Sequence, residues 1–188
     1  MLFRSRVEKM SKSKKNIVDP EHLITTYGAD TARMFSLFAA PPQKDLEWSD
    51  AGVEGASRFL QRVWRLMLEL SEHLCRGESG ADDTGAARVR EIRRLTHRTI
   101  QKVTDDIDRE FQFNTAIAAL MEFVNGLYKV TAEGSKGGRA PEETAALREA
   151  AQTLVLLLAP FAPHIAEELW ELLGRSEEHT SELQSQFR

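Results

Sequence analysis

Lys9 and Lys12 stand three residues apart among small hydroxyl residues in the string Lys9-Met10-Ser11-Lys12-Ser13, and Lys14, Lys15 and Asn16 follow at once. Lysine carries a compact, strongly hydrated point charge on a flexible stem, so two of them on one loop can close on a polyphosphate. Fixed cations of this kind act by holding negative charge as it develops during reaction. Residues 1–19 carry Arg4, Arg6, Lys9, Lys12, Lys14 and Lys15 against Glu8 and Asp19, a net of +4 by count, although the chain as a whole carries −4. There is thus no global basic signature of a nucleic-acid binder, and the distribution matters more than the sum. The plainer reading of the same string is a solvated basic tail.

A second set of cations has helical spacing. Arg58, Arg62 and Arg65 fall at i, i+4 and i+7, on a face expected to turn away from the apolar stripe. Arg90, Arg94, Arg98 and Lys102 repeat the device every four residues. Aligned cations on an exposed helix can follow a phosphate backbone, positioning an RNA without reading its sequence. Pairing with Glu54, Glu69 and Glu91, or simple solvation, is the alternative. Trp48, Trp64 and Trp170 could stack bases, but each lies in an apolar periodic context that favours core packing. His164 has no second ligand at metal spacing and is expected to cap or pack at the start of the last helix; no metal site is expected. Glu167 and Glu168 read as surface charge.

The elements that must position these groups are helices. Asp19 as N-cap and Pro20 at the first helical position open a short helix that Gly28 stops after Tyr27. A second begins at Asp30 and ends before Pro41-Pro42, after which residues 41–50 run extended, with Leu46 and Trp48 on one side. Val53, Ala56, Phe59/Leu60, Val63/Trp64, Met67 and Leu70/Leu74 then mark a long helix from Val53 to about Arg76. Further helices are expected from Arg88 to about Glu110, with Val89, Ile92, Thr96/Thr99, Val103 and Ile107 facing inward, and from Phe113 to Tyr128 with Asn114 capping its start. The last two run from Pro141, Glu142 and Glu143 to Pro160, and from Pro163 to Leu173 with Gly174 as the stop. No strand period survives, so the expected fold class is all-α: an antiparallel helical bundle preceded by the lysine loop and short helices.

Composition sets outer bounds. A chain of 188 residues, 41% hydrophobic, can bury one substantial core. The lone Cys75 rules out an intrachain disulfide and any cysteine-based zinc site, which fits a reducing cytoplasm. No apolar run reaches the roughly 18 residues of a membrane span, and the basic N-terminus lacks the apolar stretch of a secretory signal. From Arg175 onward the sequence loses its periodicity and resembles the translation of a common sequencing-adapter oligonucleotide, so residues 175–188 are expected to be a non-native tail outside the fold.

Read with its sequel, the lysine string resembles the second signature, K-M-S-K-S, of the class I aminoacyl-tRNA synthetases. Asn16-Ile17-Val18-Asp19-Pro20 and Tyr27-Gly28-Ala29-Asp30-Thr31-Ala32-Arg33 are similar to the continuation in leucyl-tRNA synthetases. So are Leu46-Glu47-Trp48, Gly52-Val53-Glu54-Gly55-Ala56 with Arg58-Phe59-Leu60, and Arg62-Val63-Trp64. Lys102 to Ile107, Phe113-Asn114-Thr115-Ala116-Ile117-Ala118-Ala119 and Pro160-Phe161-Ala162-Pro163-His164-Ile165-Ala166-Glu167-Glu168-Leu169-Trp170 complete a resemblance covering Val7 to Gly174. Lys15 departs from the pattern, standing where many relatives have Asn.

The resemblance implies a division into residues 1–50, the end of a class I catalytic domain, and 51–174, a helical bundle of the anticodon-binding type. In the leucyl enzymes such a bundle mainly holds the tRNA body and stem, which makes Arg58, Arg62, Arg65, Arg94, Arg98 and Lys102 the tRNA-contact candidates. It further implies that Lys12 holds ATP phosphates as leucine attacks the α-phosphate, with Lys9 as helper and Ser11 and Ser13 supplying hydroxyl or backbone N–H contacts. The intact family enzyme uses ATP with Mg²⁺, leucine and tRNA(Leu) in the cytoplasm, with no DNA or membrane partner. The other class I signature, H-x-G-H, is missing, since none of His22, His73 and His97 lies in such a string. The chain is therefore expected to be a piece of a larger enzyme, binding no cofactor itself and inactive alone. Its rivals are an isolated RNA-binding or structural bundle, and a fragment of a sibling valyl, isoleucyl or methionyl enzyme.

Overall fold

The computed structural model describes residues 8–14, 17–76, 85–109, 111–134 and 139–174; these contain seven α-helices, a 3₁₀ turn at Lys12–Lys14 and no strand. The helices are α1 (Pro20–Tyr27), α2 (Ala29–Phe38), α3 (Asp50–Arg76), α4 (Gly85–Asp108), α5 (Phe113–Gly134), α6 (Pro141–Leu158) and α7 (Pro163–Leu172). The Cys75 side chain and residues 175–188 lie outside the described part.

Local chemistry sets the short helices. The Asp19 carboxylate accepts the Glu21 N–H at 3.0 Å while Pro20 occupies the first turn. Gly28, at φ 87°, donates its N–H to the Ile24 carbonyl and closes α1 in a conformation that a β-carbon would strain. One residue later α2 begins, so the pair folds back on itself and lies against α3.

The four long helices α3 to α6 form the bundle. The α3 stripe is buried as its spacing predicts, with Val53, Ala56, Val63, Leu66, Met67 and Leu70 almost without solvent contact. Ile92, Thr96, Thr99 and Val103 do the same for α4. A four-residue link makes α4 and α5 a hairpin, and they approach so closely that a β-carbon on Gly126 would stand 2.9 Å from Leu95 Cδ1. α4 packs on α5 and α6, α3 packs on α5, α6 and α7, and among the described residues consecutive α3 and α4 do not pack on each other. Phe123, Leu120, Leu154 and Phe161 fill the centre; each such side chain contributes about 1.5–3 kcal/mol by leaving water.

Two local expectations are corrected, and one residue that opens a helix as expected is buried. Asn114 does not cap α5: it sits inside the first turn with Oδ1 buried and unbonded, while the Gln112 carbonyl receives the Ala116 N–H and the Thr115 hydroxyl. α5 runs past Tyr128 to Gly134 because Val130 and Thr131 remain buried. Glu143 helps open α6 but is wholly buried, its carboxylate receiving the Arg88 guanidinium at 3.0 Å with Arg139 Nε 3.5 Å away. A buried carboxylate is tolerated only when paired in this way.

Candidate functional site

The lysine string is a polar turn. Ser11 accepts the Lys14 N–H on both its carbonyl (3.1 Å) and its hydroxyl (3.3 Å), and its Oγ lies 3.2 Å from Ser13 Oγ. A serine capping its own turn in this way is a common local motif. Lys14 Nζ meets Glu8 Oε2 at 3.1 Å, with both side chains about half exposed. Lys9, Met10 and Ser13 are exposed, which agrees with a loop outside the core; the Lys12 side chain, like Lys15 and Asn16, lies outside the described residues.

Below the turn lies a groove of about 1060 Å³. Lys9 and Met10 form one wall, Leu23 and Ile24 of α1 with Phe35 of α2 another, and Leu46 and Trp48 a third. Trp48 is fixed there, its ring edge-on to Phe35 at 5.1 Å and its indole N–H donating to Asp50 at 2.8 Å.

α2 is tied to α7 through Asp30, a residue whose sequence position marks only the start of α2. Asp30 lies near the start of α2, one helix beyond the turn. Its buried carboxylate accepts the Ile165 N–H at 2.8 Å and lies 2.8 Å from His164 Nδ1. It thus caps α7 from 135 residues away in sequence. His164 does sit at the helix start as expected, with its ring largely in solvent. Among the described residues no cluster of three potential metal ligands exists, and no helix there is long and apolar enough to cross a membrane.

The cationic stripes separate in three dimensions, because among the described residues α3 and α4 do not pack on each other. Arg58 pairs with Glu54 at 3.3 Å, and Arg65 Nε donates to the Gln61 carbonyl at 3.3 Å. Arg62 is not turned away from the core. It is half-buried, donates to Asn125 at 2.7 Å and stands 5.3 Å over the Tyr128 ring, whose hydroxyl donates to the Arg62 carbonyl. Burial pushes the Tyr128 phenol above its ordinary range.

On α4, Arg94 forks onto Glu91 at 2.7 and 2.8 Å, and that hydrogen bond holds the carboxyl below, and the guanidinium above, their usual ranges. Lys102 meets Asp106 at 2.6 Å. Arg90 and Arg98 are exposed without an ion pair among the described residues.

A second cavity, of about 580 Å³, opens where α1 and α2 meet α3 and α7. Tyr27, Trp64, Gln61 and Arg65 contribute to its walls, and Asp30 and Ile165 to its floor. Trp64 packs against the core as its apolar periodic context predicts, but it is only half-buried and also lines this cavity.

A single fold thus joins a hydroxyl-and-lysine turn to a helical bundle. The sequence model described as the anticodon-binding domain of tRNA ligases matches residues 89–186, and the chain belongs to that family. The model of class I tRNA synthetases for I, L, M and V matches residues 2–49. The chain is 55% identical over 168 residues to the leucine–tRNA ligase of Geobacter sp. (strain M21), covering 88% of this chain and 20% of that protein. It is 54% identical over 170 residues to the leucine–tRNA ligase of Citrifermentans bemidjiense, again covering 20% of it. Among solved structures, the Agrobacterium radiobacter K84 agnB2 LeuRS–tRNA–LeuAMS ternary complex aligns with a TM-score of 0.74 at 36% identity, over 90% of this chain and 21% of that one. The chain therefore spans about a fifth of the length of the curated relatives it matches.

Proposed function

We propose that this chain is the part of a leucine–tRNA ligase that joins the ATP-handling loop to the tRNA-holding bundle. Residues 1–50 close the catalytic domain, with Lys12 and Lys9 steadying ATP phosphates while leucine attacks the α-phosphate. Mg²⁺ enters as part of the ATP substrate. Residues 51–174 hold tRNA(Leu), and the setting is cytoplasmic. The observation that carries this reading is the exposed serine-capped turn at Lys9–Ser13, mounted on a bundle whose relatives are leucine–tRNA ligases at 50–55% identity.

Lys9 is exposed and the Lys14 side chain is about half exposed, and a polar turn of this kind suits a segment that closes when a polyanion arrives. For RNA contact the structure favours Arg98 and Arg65, which are exposed, over Arg62, which is occupied by Asn125 and Tyr128. Arg58, Arg94 and Lys102 would have to exchange carboxylate partners for phosphates. The sibling valyl, isoleucyl and methionyl readings are less favoured by relatives that are leucine ligases.

The test is leucine-dependent ATP–pyrophosphate exchange. In the intact ligase carrying this segment, Lys12→Ala is expected to slow exchange by two to three powers of ten, since losing one preorganised donor to developing charge costs about 3–4 kcal/mol. The loss should fall on rate more than on leucine affinity. The 188-residue chain alone should show no exchange. Near-normal exchange in the Lys12→Ala ligase would reject the role of Lys12, and exchange by the isolated chain would reject its being incomplete.

A further inference from the structure

We propose that the cavity between α1, α2, α3 and α7 is a pocket for one unpaired nucleotide of the bound tRNA, with Trp64 as its stacking surface and Gln61 as its polar reader. The inference deepens the tRNA-holding reading and rests on it. Its first support is the fate of the three tryptophans. Trp170 is buried, and Trp48 is held edge-on by Phe35 and hydrogen-bonded to Asp50. Trp64, half-buried on α3, lines this cavity together with Tyr27 of α1.

The second support is register. Gln61, Trp64 and Arg65 fall at i, i+3 and i+4 on α3 and line the same cavity, together with Ser57 one turn earlier. An aromatic face, an amide with both donor and acceptor, a hydroxyl and a guanidinium are the groups that recognise a splayed-out base and its phosphate. The guanidinium of Arg65 is anchored by Nε to the Gln61 carbonyl, which leaves its terminal N–H groups directed elsewhere.

The third support is charge. Among the described residues Asp30 is the one carboxylate lining the cavity, and it is already engaged by the Ile165 N–H and His164. At about 580 Å³ the space lies within the range of small-ligand sites. A paired RNA helix keeps its bases inside the stack and cannot offer one to this wall; a loop or bulge nucleotide can.

The position gives the pocket a consequence. Tyr27 and Asp30 follow the lysine turn within two short helices, whereas Gln61 and Trp64 belong to the bundle. A nucleotide seated here touches both, so tRNA docking would clamp the base of the lysine segment to the bundle.

The experiment measures binding of the 188-residue chain to two probes, a tRNA(Leu) transcript and a fully base-paired RNA duplex of similar length. Gln61→Ala, Trp64→Phe and Trp64→Ala are compared, with circular dichroism checking the fold. Trp64→Ala is expected to weaken tRNA binding roughly tenfold and Gln61→Ala roughly threefold, with Trp64→Phe near wild type. Duplex binding should be the same for all. Should Trp64→Ala misfold, the exposed Gln61→Ala decides alone: unchanged tRNA affinity overturns the pocket, and a loss confined to tRNA supports it. Unchanged tRNA affinity in every folded variant, or equal losses on the duplex, overturns the pocket and leaves the tRNA-holding reading standing. Failure of the wild-type chain to bind either RNA overturns both.

Discussion

The lysine turn and the α3–α6 bundle are held by different forces. The turn at residues 11–14 includes two hydrogen bonds to Ser11 and an ion pair whose partners are both half in water. Such pairs contribute little, because solvent screens them and two long side chains must be ordered. The bundle rests on side chains with no solvent contact, Leu66, Leu70, Ile92, Leu120, Phe123, Leu127 and Leu154 among them. A segment of the first kind can rearrange at small cost, and one of the second kind cannot. The comparison teaches where a ligand is free to remodel this chain: at the lysines and not at the helices.

The largest test of that contrast is Phe123→Ala. It should destabilise the chain by about 3–5 kcal/mol, since the lost transfer energy is joined by a cavity the close-packed bundle cannot collapse. Guanidinium denaturation would measure it. A loss under about 1 kcal/mol would place the stability somewhere other than this core.

Next is Asp30→Ala, at the contact between α2 and α7. Losing a helix cap of this type costs about 1–2 kcal/mol. The cost should appear together with faster hydrogen exchange at the Ile165 amide, whose N–H loses its acceptor. A global loss with unchanged Ile165 protection would show that Asp30 does not hold α7.

Tyr128→Phe probes the α3–α5 contact and should cost about 1 kcal/mol, the net worth of one hydrogen bond. It should also alter the pH dependence. Burial raises the phenol's pKa in the folded state, so the unfolded chain releases that proton first as pH rises through the ordinary phenol range. Stability from this group is therefore full below that range and is lost as pH climbs toward the raised folded value. In Tyr128→Phe the alkaline loss should be smaller, as read by denaturation at a series of alkaline pH values.

Smallest is Ser11→Ala. It removes the hydroxyl acceptor of the lysine turn but leaves the Ser11 carbonyl bond to the Lys14 N–H. The melting of the chain should shift by no more than about 0.5 kcal/mol equivalent, as for exposed positions generally. A large shift would mean that the turn is part of the cooperative unit.

Much of the helical order was legible because it is local. The Asp19-Pro20 start, the Gly28 stop and the α3 stripe follow from backbone and capping chemistry within a few residues. Two polar side chains find partners distant in sequence, which no local pattern shows. Glu143 opens α6 as its place in the sequence indicates, but the partner that makes its burial tolerable, Arg88, lies 55 residues away. Arg62 looked exposed by spacing, but Asn125 and Tyr128 lie more than 60 residues on. Asn114 looked like a cap, but the helix begins one residue earlier and leaves its oxygen buried.

The lysine string, the all-α class and the family resemblance were determined by sequence alone, because types and spacing suffice for motif and period. Tertiary structure decided that the described residues of α3 and α4 do not pack on each other, which divides the cationic stripes. It also decided that the Tyr27–Arg33 motif meets the Pro160–Trp170 motif through one carboxylate and two donors, Asp30 to Ile165 and His164. The physical reason is that a buried polar group needs a partner whatever its position in the chain, and only packing determines which group comes within reach.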